Sequence, residues 1–211
     1  MPQSDATPGV ETVVGAPRPL AELLPGSYPR PFRILAVCTG NVCRSPAVER
    51  LLAAGVPDSE VKVTSAGTVA KPGTPMTPQM VKLVTAAGAD ADGFASQRLT
   101  RELVAEAHLV LALTREHRSA VVSMHPSAVT ITFTLREFGR LVAEVDRALL
   151  PSESAAGRLT ALLAMARNAR GLLQVPLVDD DVIDPYGHDA RIYQQSFDEL
   201  YGPVQSLLAL L

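Results

Sequence analysis

The chain has 211 residues, of which 47% are hydrophobic and 19% are charged, and its formal net charge is −3. This length suits one globular domain with a sizeable core, while the acidic balance argues against a nucleic acid as partner. Two cysteines do not make a disulfide framework, which favours a reducing compartment. No apolar run reaches membrane-spanning length, and the first residues lack a signal-peptide pattern. We therefore expect a cytoplasmic protein that has neither a membrane nor a nucleic acid as partner.

The chain divides into an N-terminal extension and a folded domain. Residues 1–31 are rich in proline, glycine, alanine and small polar residues, which predicts a flexible extension. Residues 32–211 carry the recurring apolar segments of a packed structure, and we assign them to one domain.

Predicted strands and helices alternate along this domain. The predicted strands are Phe32–Val37, Val61–Ser65, Leu109–Leu113 and Val129–Thr132. The predicted helices that accompany them are Ser45–Ala54, Thr77–Ala87, Arg98–Ala107 and Arg115–Met124. Strands that alternate with helices imply a parallel sheet, because right-handed crossovers carry the helices across its faces. We therefore predict an α/β fold with a four-stranded parallel sheet that is flanked by helices on both faces.

A long helical segment follows the predicted fourth strand. Leu135 to about Leu150 and Glu153 to about Leu173 are rich in alanine, leucine and arginine, and Leu159 and Leu162 fall on one helical face. We predict a helical insertion over residues 139–175 that packs on the domain as a hairpin or lid. A partner-binding surface is the alternative.

The apolar run of the first strand leads directly into Cys38, and Arg44 follows in the pattern Cys-x5-Arg-Ser. A loop that feeds the N-terminus of a helix exposes unpaired N–H groups and forms an anion site. Gly40 and Asn41 tolerate the backbone angles of a tight loop, and the Arg44 guanidinium can bind two oxygens of a tetrahedral anion. A thiol in this field should have a lowered pKa. We predict that Cys38 is a thiolate aimed at the phosphorus of a bound phosphate.

Other interpretations of this loop have less support. A cysteine at the end of a buried strand often serves as a small hydrophobic residue. Cys38 and Cys43 could form half of a metal site, but the chain has no further cysteine and no clustered histidines to complete it, so we predict no metal. The loop also lacks the Gly-Lys-Ser/Thr ending of a nucleotide-binding loop.

A second chemical element precedes the last predicted helix, Ala190 to Leu211. Asp184 stands before Pro185, which restricts its backbone, and a carboxyl group held in this way could protonate the leaving group of phosphate transfer. Tyr186 offers an aromatic face to a planar substrate. Taken alone, the segment also fits a solvated acidic turn. Three neighbouring carboxylates are predicted to face solvent, although one of them could be a second acid: Asp179, Asp180 and Asp181.

Three stretches, in this order, resemble the low-molecular-weight protein-tyrosine-phosphatase family, which uses cysteine without a metal. They are Val37–Pro46, Ser65–Thr68 and Asp184–Gly187. The resemblance spans about Phe32 to Phe138 and Val178 to Leu211. It implies that Cys38 is the nucleophile, that Arg44 clamps phosphate, and that Asp184 acts as acid and then as base. It also implies a phosphorylated protein as substrate and no cofactor.

The resemblance assigns roles to the rest of the loop. Ser45 would stabilise the Cys38 thiolate, and Asn41 would hold the shape of the loop. Cys43 would form a reversible disulfide with Cys38 under peroxide. The other residues expected to bind phosphate or substrate are Thr39, Gly40, Val42 and Tyr186.

Some features differ from the family pattern. Thr68–Pro72 has no aromatic residue, the helical stretch Gly139–Gln174 is longer than usual, and the N-terminal extension is additional. Some bacterial members without the aromatic residue act on phosphoarginine, but they carry threonine where this chain has Val42. A related arsenate-reducing branch needs more cysteines than this chain has. We predict a protein-tyrosine phosphatase. The alternatives are a protein-arginine phosphatase and a weakly active phosphate-binding regulatory module.

Overall fold

The computed structural model describes residues 28–151, 154–170 and 180–211. These residues contain a four-stranded parallel sheet in the order β2-β1-β3-β4, as predicted. Its strands are β1 (Phe32–Cys38), β2 (Val61–Gly67), β3 (Leu109–Ala112) and β4 (Thr132–Thr134). The carboxyl ends of all four strands meet at one edge, which is where open α/β sheets bind their ligands.

Helices cover both faces of the sheet. They are α1 (Arg44–Gly55), α2 (Pro78–Ala86), α3 (Arg101–Glu106), α4 (Arg115–Met124), α5 (Leu135–Ala143), α6 (Ala155–Ala169) and α7 (Ala190–Leu210). Because side chains alternate along β1, Ile34 joins a larger core with α1, α2, α5, α6 and α7. Leu35 joins a smaller core with Val104 of α3 and Val121 of α4. The central strand is therefore buried on both sides, which explains its uninterrupted apolar run.

The prediction of a fourth strand over Val129–Thr132 is wrong in position. Pro126–Thr130 forms a 3-10 helix, and the strand begins only at Thr132. Pro126 fixes the first turn of that helix, and the Thr132 hydroxyl donates to the Ala128 carbonyl over 2.7 Å. Val129 is 42% exposed, whereas Phe133 is fully buried. Burial of the Phe133 ring thus outweighs the strand propensity of the residues before it.

The predicted insertion is helical and packs on the domain, but it is not a separate lid. α5 ends at Ala143, a 3-10 turn follows at Arg147–Leu149, and α6 begins after Ser154, whose hydroxyl accepts from Gly157 N. The apolar face of α6, including Leu159, belongs to the larger core. The last predicted residues of the insertion, 171–175, lie outside the described residues.

The described part of the predicted N-terminal extension begins at Tyr28. This side chain is buried, and it packs against Gly157 of α6 so closely that a Cβ there would lie 2.9 Å from the ring. Residues 1–27 lie outside the described residues, so the flexibility and the domain limits given above stay predictions. None of the described helices has the length and apolar character needed to cross a membrane.

Arg170 ties the end of α6 to β4 and α5. Its guanidinium donates to the Thr132 carbonyl over 2.6 Å and to Glu137 over 2.9 Å, and it lies 3.9 Å from the centre of the Phe133 ring. Burial alone would raise the pKa of Glu137, but the hydrogen bond and charge of Arg170 outweigh it and lower that pKa. Removal of the Arg170 charge should therefore destabilise the fold, because it would leave its buried and partly buried partners unpaired.

We expect Arg170→Met to lower the free energy of unfolding by about 3 kcal/mol, because it leaves the partly buried Glu137 carboxylate without its cation. Lys62→Met is the matched control, since it breaks the exposed Lys62–Asp58 pair and should cost less than about 1 kcal/mol. Urea unfolding of both variants measures the difference. Equal losses in the two variants would contradict this account of Arg170.

Candidate active site

The loop between β1 and α1 forms the floor of a pocket of roughly 520 Å³ at the carboxyl edge of the sheet. Cys38 lies at the bottom and is only 2% exposed. Val69 and Met76 form part of the wall, and Asp184 and Tyr186 approach from the loop before α7. The predicted phosphate loop and the predicted acid loop therefore border one cavity, although a long stretch of sequence separates them.

Asn41 holds the loop in shape. Its backbone adopts φ 53°, a left-handed conformation that asparagine tolerates better than most residues. Its fully buried amide donates to the Ser45 hydroxyl over 2.9 Å and to the Ser65 hydroxyl over 2.7 Å, and its carbonyl accepts from Gln97 N over 2.8 Å. One side chain thus links the loop to α1, to β2 and to the segment before α3.

The Cys38 sulfur faces two hydrogen-bonding groups. Ser45 Oγ lies 3.0 Å from Sγ, and the Asn41 backbone N–H donates to Sγ over 3.3 Å. α1 begins at Arg44, so the positive end of its dipole points to the same region. Both groups can donate to a thiolate sulfur, and the thiolate is the form of cysteine that acts as a nucleophile.

Gly67 permits the close approach of β2 to the loop. A Cβ at this position would lie 2.5 Å from the Thr39 carbonyl oxygen and 2.9 Å from Asn41 N. The residues after Gly67 then bind the loop directly, since Thr68 N donates to the Cys38 carbonyl and Val69 N to the Thr39 carbonyl, each over 3.0 Å. The Ser65–Thr68 stretch of the sequence therefore supports the loop from behind.

Arg44 is almost fully buried and connects the two loops. Nη2 lies 2.5 Å from Asp184 Oδ2, and Nη1 donates to the Val182 carbonyl over 3.1 Å. Nε is buried and has no hydrogen-bond partner among the described residues. A buried N–H of this kind is costly unless an acceptor arrives, so the guanidinium is prepared to bind an anion at the loop.

The acid loop is anchored at several points before it reaches Asp184. Val182 N donates to the Leu113 carbonyl over 2.9 Å, and the Ser196 hydroxyl donates to the Ile183 carbonyl over 2.8 Å. The Asp184 side chain is half-exposed, and its Oδ1 accepts from Tyr186 N over 3.1 Å. The Asp184 carboxyl group is therefore open to water, while the backbone around it is fixed.

The prediction that Asp180 and Asp181 face solvent is wrong. Asp180 forms an ion pair with Arg140, and Asp181 accepts from both the backbone and the guanidinium of Arg115 at 2.7 and 2.9 Å. Burial alone would raise the pKa of Asp181, but the Arg115 hydrogen bonds lower it below its usual range. These carboxylates anchor the loop, which leaves Asp184 as the candidate acid. Asp179 lies outside the described residues.

The two cysteines have different surroundings. Cys43 Sγ lies 3.4 Å from Thr77 Oγ1 and 3.6 Å from the Tyr193 hydroxyl. Burial raises the pKa of the Cys43 thiol, which keeps it protonated. Both cysteines are free. The redox role assigned to Cys43 stays a prediction.

His117 belongs to the site and was not among the predicted residues. It is 4% exposed, and its Nε2 lies 2.8 Å from the Thr39 hydroxyl while Nδ1 lies 2.9 Å from the Thr114 hydroxyl. Burial, together with the positive charge of Arg44, lowers the pKa of His117 to about 4. The sequence does contain a signal for His117, because Thr114-x-x-His117 follows the end of β3, at the same edge of the sheet as Cys38.

Glu49 is a second residue that sequence reasoning missed. It accepts from the Ser65 hydroxyl over 2.5 Å, directly behind the contact between Ser65 and Asn41. Burial raises the pKa of Glu49. Its position on α1 gave no hint of this contact, because the partner lies on β2.

A parallel α/β sheet that brings a thiol, an arginine and a carboxyl group to one phosphate-sized loop defines a cysteine-dependent phosphatase scaffold. The model of the low molecular weight phosphotyrosine protein phosphatase family matches residues 33–150. Because this match covers more than half of the chain, the chain belongs to that family and is a phosphoric monoester hydrolase that acts on proteins. The resemblance drawn from the sequence motifs is confirmed.

Individual relatives fall into two groups. The chain is 38% identical over 104 residues to the probable low molecular weight protein-tyrosine-phosphatase EpsP of Ralstonia nicotianae, covering 49% of this chain and 70% of that protein. It is 32% identical over 171 residues to a protein-arginine-phosphatase of Geobacillus stearothermophilus, covering 81% and 89%. The solved YwlE arginine phosphatase of that organism superimposes with a TM-score of 0.61 at 30% identity, covering 85% and 92%.

The lowered pKa of His117 predicts a loss of stability in acid. Between pH 6.5 and about pH 4 the unfolded chain binds a proton at this histidine and the folded chain does not, so unfolding becomes more favourable as the pH falls. The loss should reach about 3 kcal/mol by pH 4. We expect His117→Gln, which cannot be protonated, to remove most of this pH dependence in urea unfolding.

His188→Gln is the matched control, because His188 is exposed and should leave the wild-type pH dependence in place. If His117→Gln and the wild type lose stability in parallel between pH 6.5 and pH 4, His117 is not the buried neutral group described here.

Proposed function

We propose that this protein is a protein-tyrosine phosphatase that works through a phosphocysteine intermediate. One observation carries the proposal: Arg44 contacts Asp184 in the same pocket in which the Cys38 sulfur is hydrogen-bonded to the Ser45 hydroxyl and to Asn41 N. A nucleophile, an anion clamp and a proton donor are the groups that a two-step displacement at phosphorus requires.

In the first step the substrate phosphate enters the loop, and its oxygens replace the Asp184 carboxylate as partners of Arg44. The Arg44 Nε, which has no partner among the described residues, gains one. The Cys38 thiolate forms a bond to phosphorus while the bond from phosphorus to the tyrosine oxygen breaks. Once released from Arg44, the half-exposed Asp184 carboxylate takes a proton from solvent and gives it to that oxygen, which leaves as a neutral phenol.

In the second step a water molecule attacks the phosphorus of phosphocysteine. Asp184, now a carboxylate, takes the proton of the water, and the bond between sulfur and phosphorus breaks. Inorganic phosphate leaves, and the sulfur returns as a thiolate that Ser45 Oγ stabilises from 3.0 Å. The N–H groups of the loop and Arg44 hold the phosphate oxygens in both steps.

The pocket favours phosphotyrosine over the other phosphorylated residues. Val42, Val69, Met76 and Tyr186 give it apolar walls that suit an aromatic ring. Asp184 is the only carboxylate among the described residues of the lining, and it already binds Arg44. The guanidino N–H groups of phosphoarginine would therefore meet threonine hydroxyls but no unpaired carboxylate among the described lining residues. A phosphoserine side chain is too short to bring its phosphorus to the deeply placed Cys38.

A protein-arginine phosphatase is the second candidate. The relatives that carry this name match 79–81% of the chain, whereas EpsP matches 49%. The wall at Val69 is aliphatic, as the sequence indicated. A weakly active phosphate-binding module is the third candidate, and the presence of Cys38, Arg44 and Asp184 in one pocket argues against it. Because the nucleophile must stay reduced, we place the protein in the cytoplasm with phosphorylated proteins as its substrates.

We expect the wild type to hydrolyse an aryl phosphate and Cys38→Ser to lose at least a thousandfold in kcat/KM, because a hydroxyl at neutral pH is a poor nucleophile. A stopped assay of released phosphate measures the loss. The unfolding midpoint of the variant should stay near that of the wild type. Equal rates for the two proteins would refute the proposed function.

We expect phosphotyrosine peptides to be hydrolysed with a higher kcat/KM than phosphoarginine or phosphoserine peptides of the same sequence, because the described lining offers apolar walls and no unpaired carboxylate. Val42→Thr adds a hydroxyl to the lining and should move the ratio of the phosphoarginine rate to the phosphotyrosine rate upwards. A higher phosphoarginine rate in the wild type would establish the second candidate instead.

A further inference from the structure

We propose that the five-residue segment Leu113–His117, which joins β3 to α4, sets the distance between the phosphate loop and the acid loop. His117 and Arg115 are its two positioning residues. Neither touches the reacting atoms, and each holds a different loop. The inference rests on the proposed function, because it assigns the two residues to different parts of that reaction.

His117 holds the phosphate loop. Its Nε2 lies 2.8 Å from the hydroxyl of Thr39, the residue that follows the nucleophile Cys38. Thr114 fixes the ring from the other side, since its hydroxyl lies 2.9 Å from Nδ1 and also accepts from His117 N over 3.2 Å. The ring is buried and cannot turn away without breaking both contacts. The Thr39 side chain is therefore tied to the first turn of α4.

Arg115 holds the acid loop. Its backbone N–H donates to Asp181 over 2.7 Å, and its guanidinium donates to the same carboxylate over 2.9 Å. A second arginine, Arg136, donates to the Asp181 carbonyl over 3.1 Å. Asp181 stands only a short distance before Asp184 in the chain. The position of the acid along the pocket thus depends on the N-terminus of α4.

The backbone of Leu113 links the same two loops. Its N–H donates to the Val37 carbonyl at the end of β1 over 2.8 Å, and its carbonyl accepts from Val182 N over 2.9 Å. Leu113 is fully buried and continues β3, which lies at the centre of the sheet. The contact of His117 with Thr39 and the contact of Arg115 with Asp181 therefore both start from the end of a buried central strand. A shift of either loop would break the contact that holds it.

Burial, helped by the positive charge of Arg44, keeps His117 neutral and outweighs the two neighbouring carboxylates. Arg44 lies on the side of the phosphate loop, and Asp181 and Asp184 lie on the side of the acid loop. A neutral imidazole donates to one threonine hydroxyl and accepts from the other, which matches the two contacts. A protonated ring would carry two donors and would place a second positive charge beside Arg44.

The two contacts predict different kinetic signatures. A looser phosphate loop weakens phosphate binding and attack for every substrate, regardless of the leaving group. A displaced acid matters most when the leaving oxygen is strongly basic, because such a group cannot leave without a proton. A general loss of folding would lower all rates equally and would also lower the free energy of unfolding. The dependence of kcat/KM on the leaving group therefore separates the two roles.

The test is kcat/KM for a series of aryl phosphates that runs from a nitrophenyl to an unsubstituted phenyl leaving group. We expect Arg115→Met and Asp181→Asn to lose roughly tenfold or more on phenyl phosphate and less than about threefold on the nitrophenyl ester. Asp184→Asn removes the proposed acid itself, so its loss of kcat/KM on phenyl phosphate relative to the nitrophenyl ester is the reference value. The Arg115–Asp181 pair is partly exposed, so these variants should fold. Lys62→Met breaks an exposed ion pair outside the pocket lining and should change neither rate.

The other arm uses the Thr39–His117 contact. We expect Thr39→Val and His117→Ala each to lose roughly tenfold on every ester, and Thr39→Ser, which keeps the hydroxyl, to lose much less. If the two residues act through each other, the double variant should be no worse than either single one. The proposal would be overturned if the losses of the two single variants multiplied in the double variant. It would also be overturned if Arg115→Met lost the same factor in kcat/KM on every ester. Each of these comparisons requires an active wild type. If the proposed function is wrong, the wild type and Cys38→Ser will hydrolyse the esters at equal rates, and this result is independent of the variants of Arg115 and His117.

Discussion

The buried amide of Asn41 is the interaction on which the rest of the site depends. A loop that presents its N–H groups to an anion cannot satisfy them within itself, so something outside the loop must fix its shape. The amide does this with three strong hydrogen bonds, to Ser45, Ser65 and Gln97. Each partner lies on a different element, so the loop keeps its conformation only when β2, α1 and the segment before α3 are all in place. The conformation of the anion site therefore depends on the folded structure of the whole domain.

The charges of the site are arranged around one buried cation. Arg44 is held inside the protein by the Asp184 carboxylate and the Val182 carbonyl, and a buried guanidinium needs such partners. The same carboxylate is the proposed acid. In the proposed mechanism, a phosphate dianion that enters the pocket becomes the counterion of Arg44 and releases Asp184, which can then take up a proton and transfer it. Substrate binding and activation of the acid are thus coupled through a single side chain.

Most of the site could be predicted because its signals are local in sequence. Cys38, Asn41, Arg44 and Ser45 stand within one loop, and Asp184 is marked by the proline that follows it. The parallel sheet followed from alternation of apolar and helical segments. What could not be predicted depends on distant partners. Asp180 and Asp181 read as a solvated acidic run, because Arg140 and Arg115, which pair with them, lie far back in the chain. The position of β4 was missed because burial of Phe133, which only tertiary packing decides, outweighs the β-branched residues before it.

The contact between Tyr28 and Gly157 has a consequence for access to the pocket. Tyr28 enters the domain just before β1, whereas the pocket lies at the opposite, carboxyl edge of the sheet. Glu60, at the start of β2, receives the N–H of Ala155 at the same far edge, which anchors α6 there. The described chain therefore enters the domain at the edge of the sheet opposite the pocket, and this point of entry leaves the pocket open to large protein substrates.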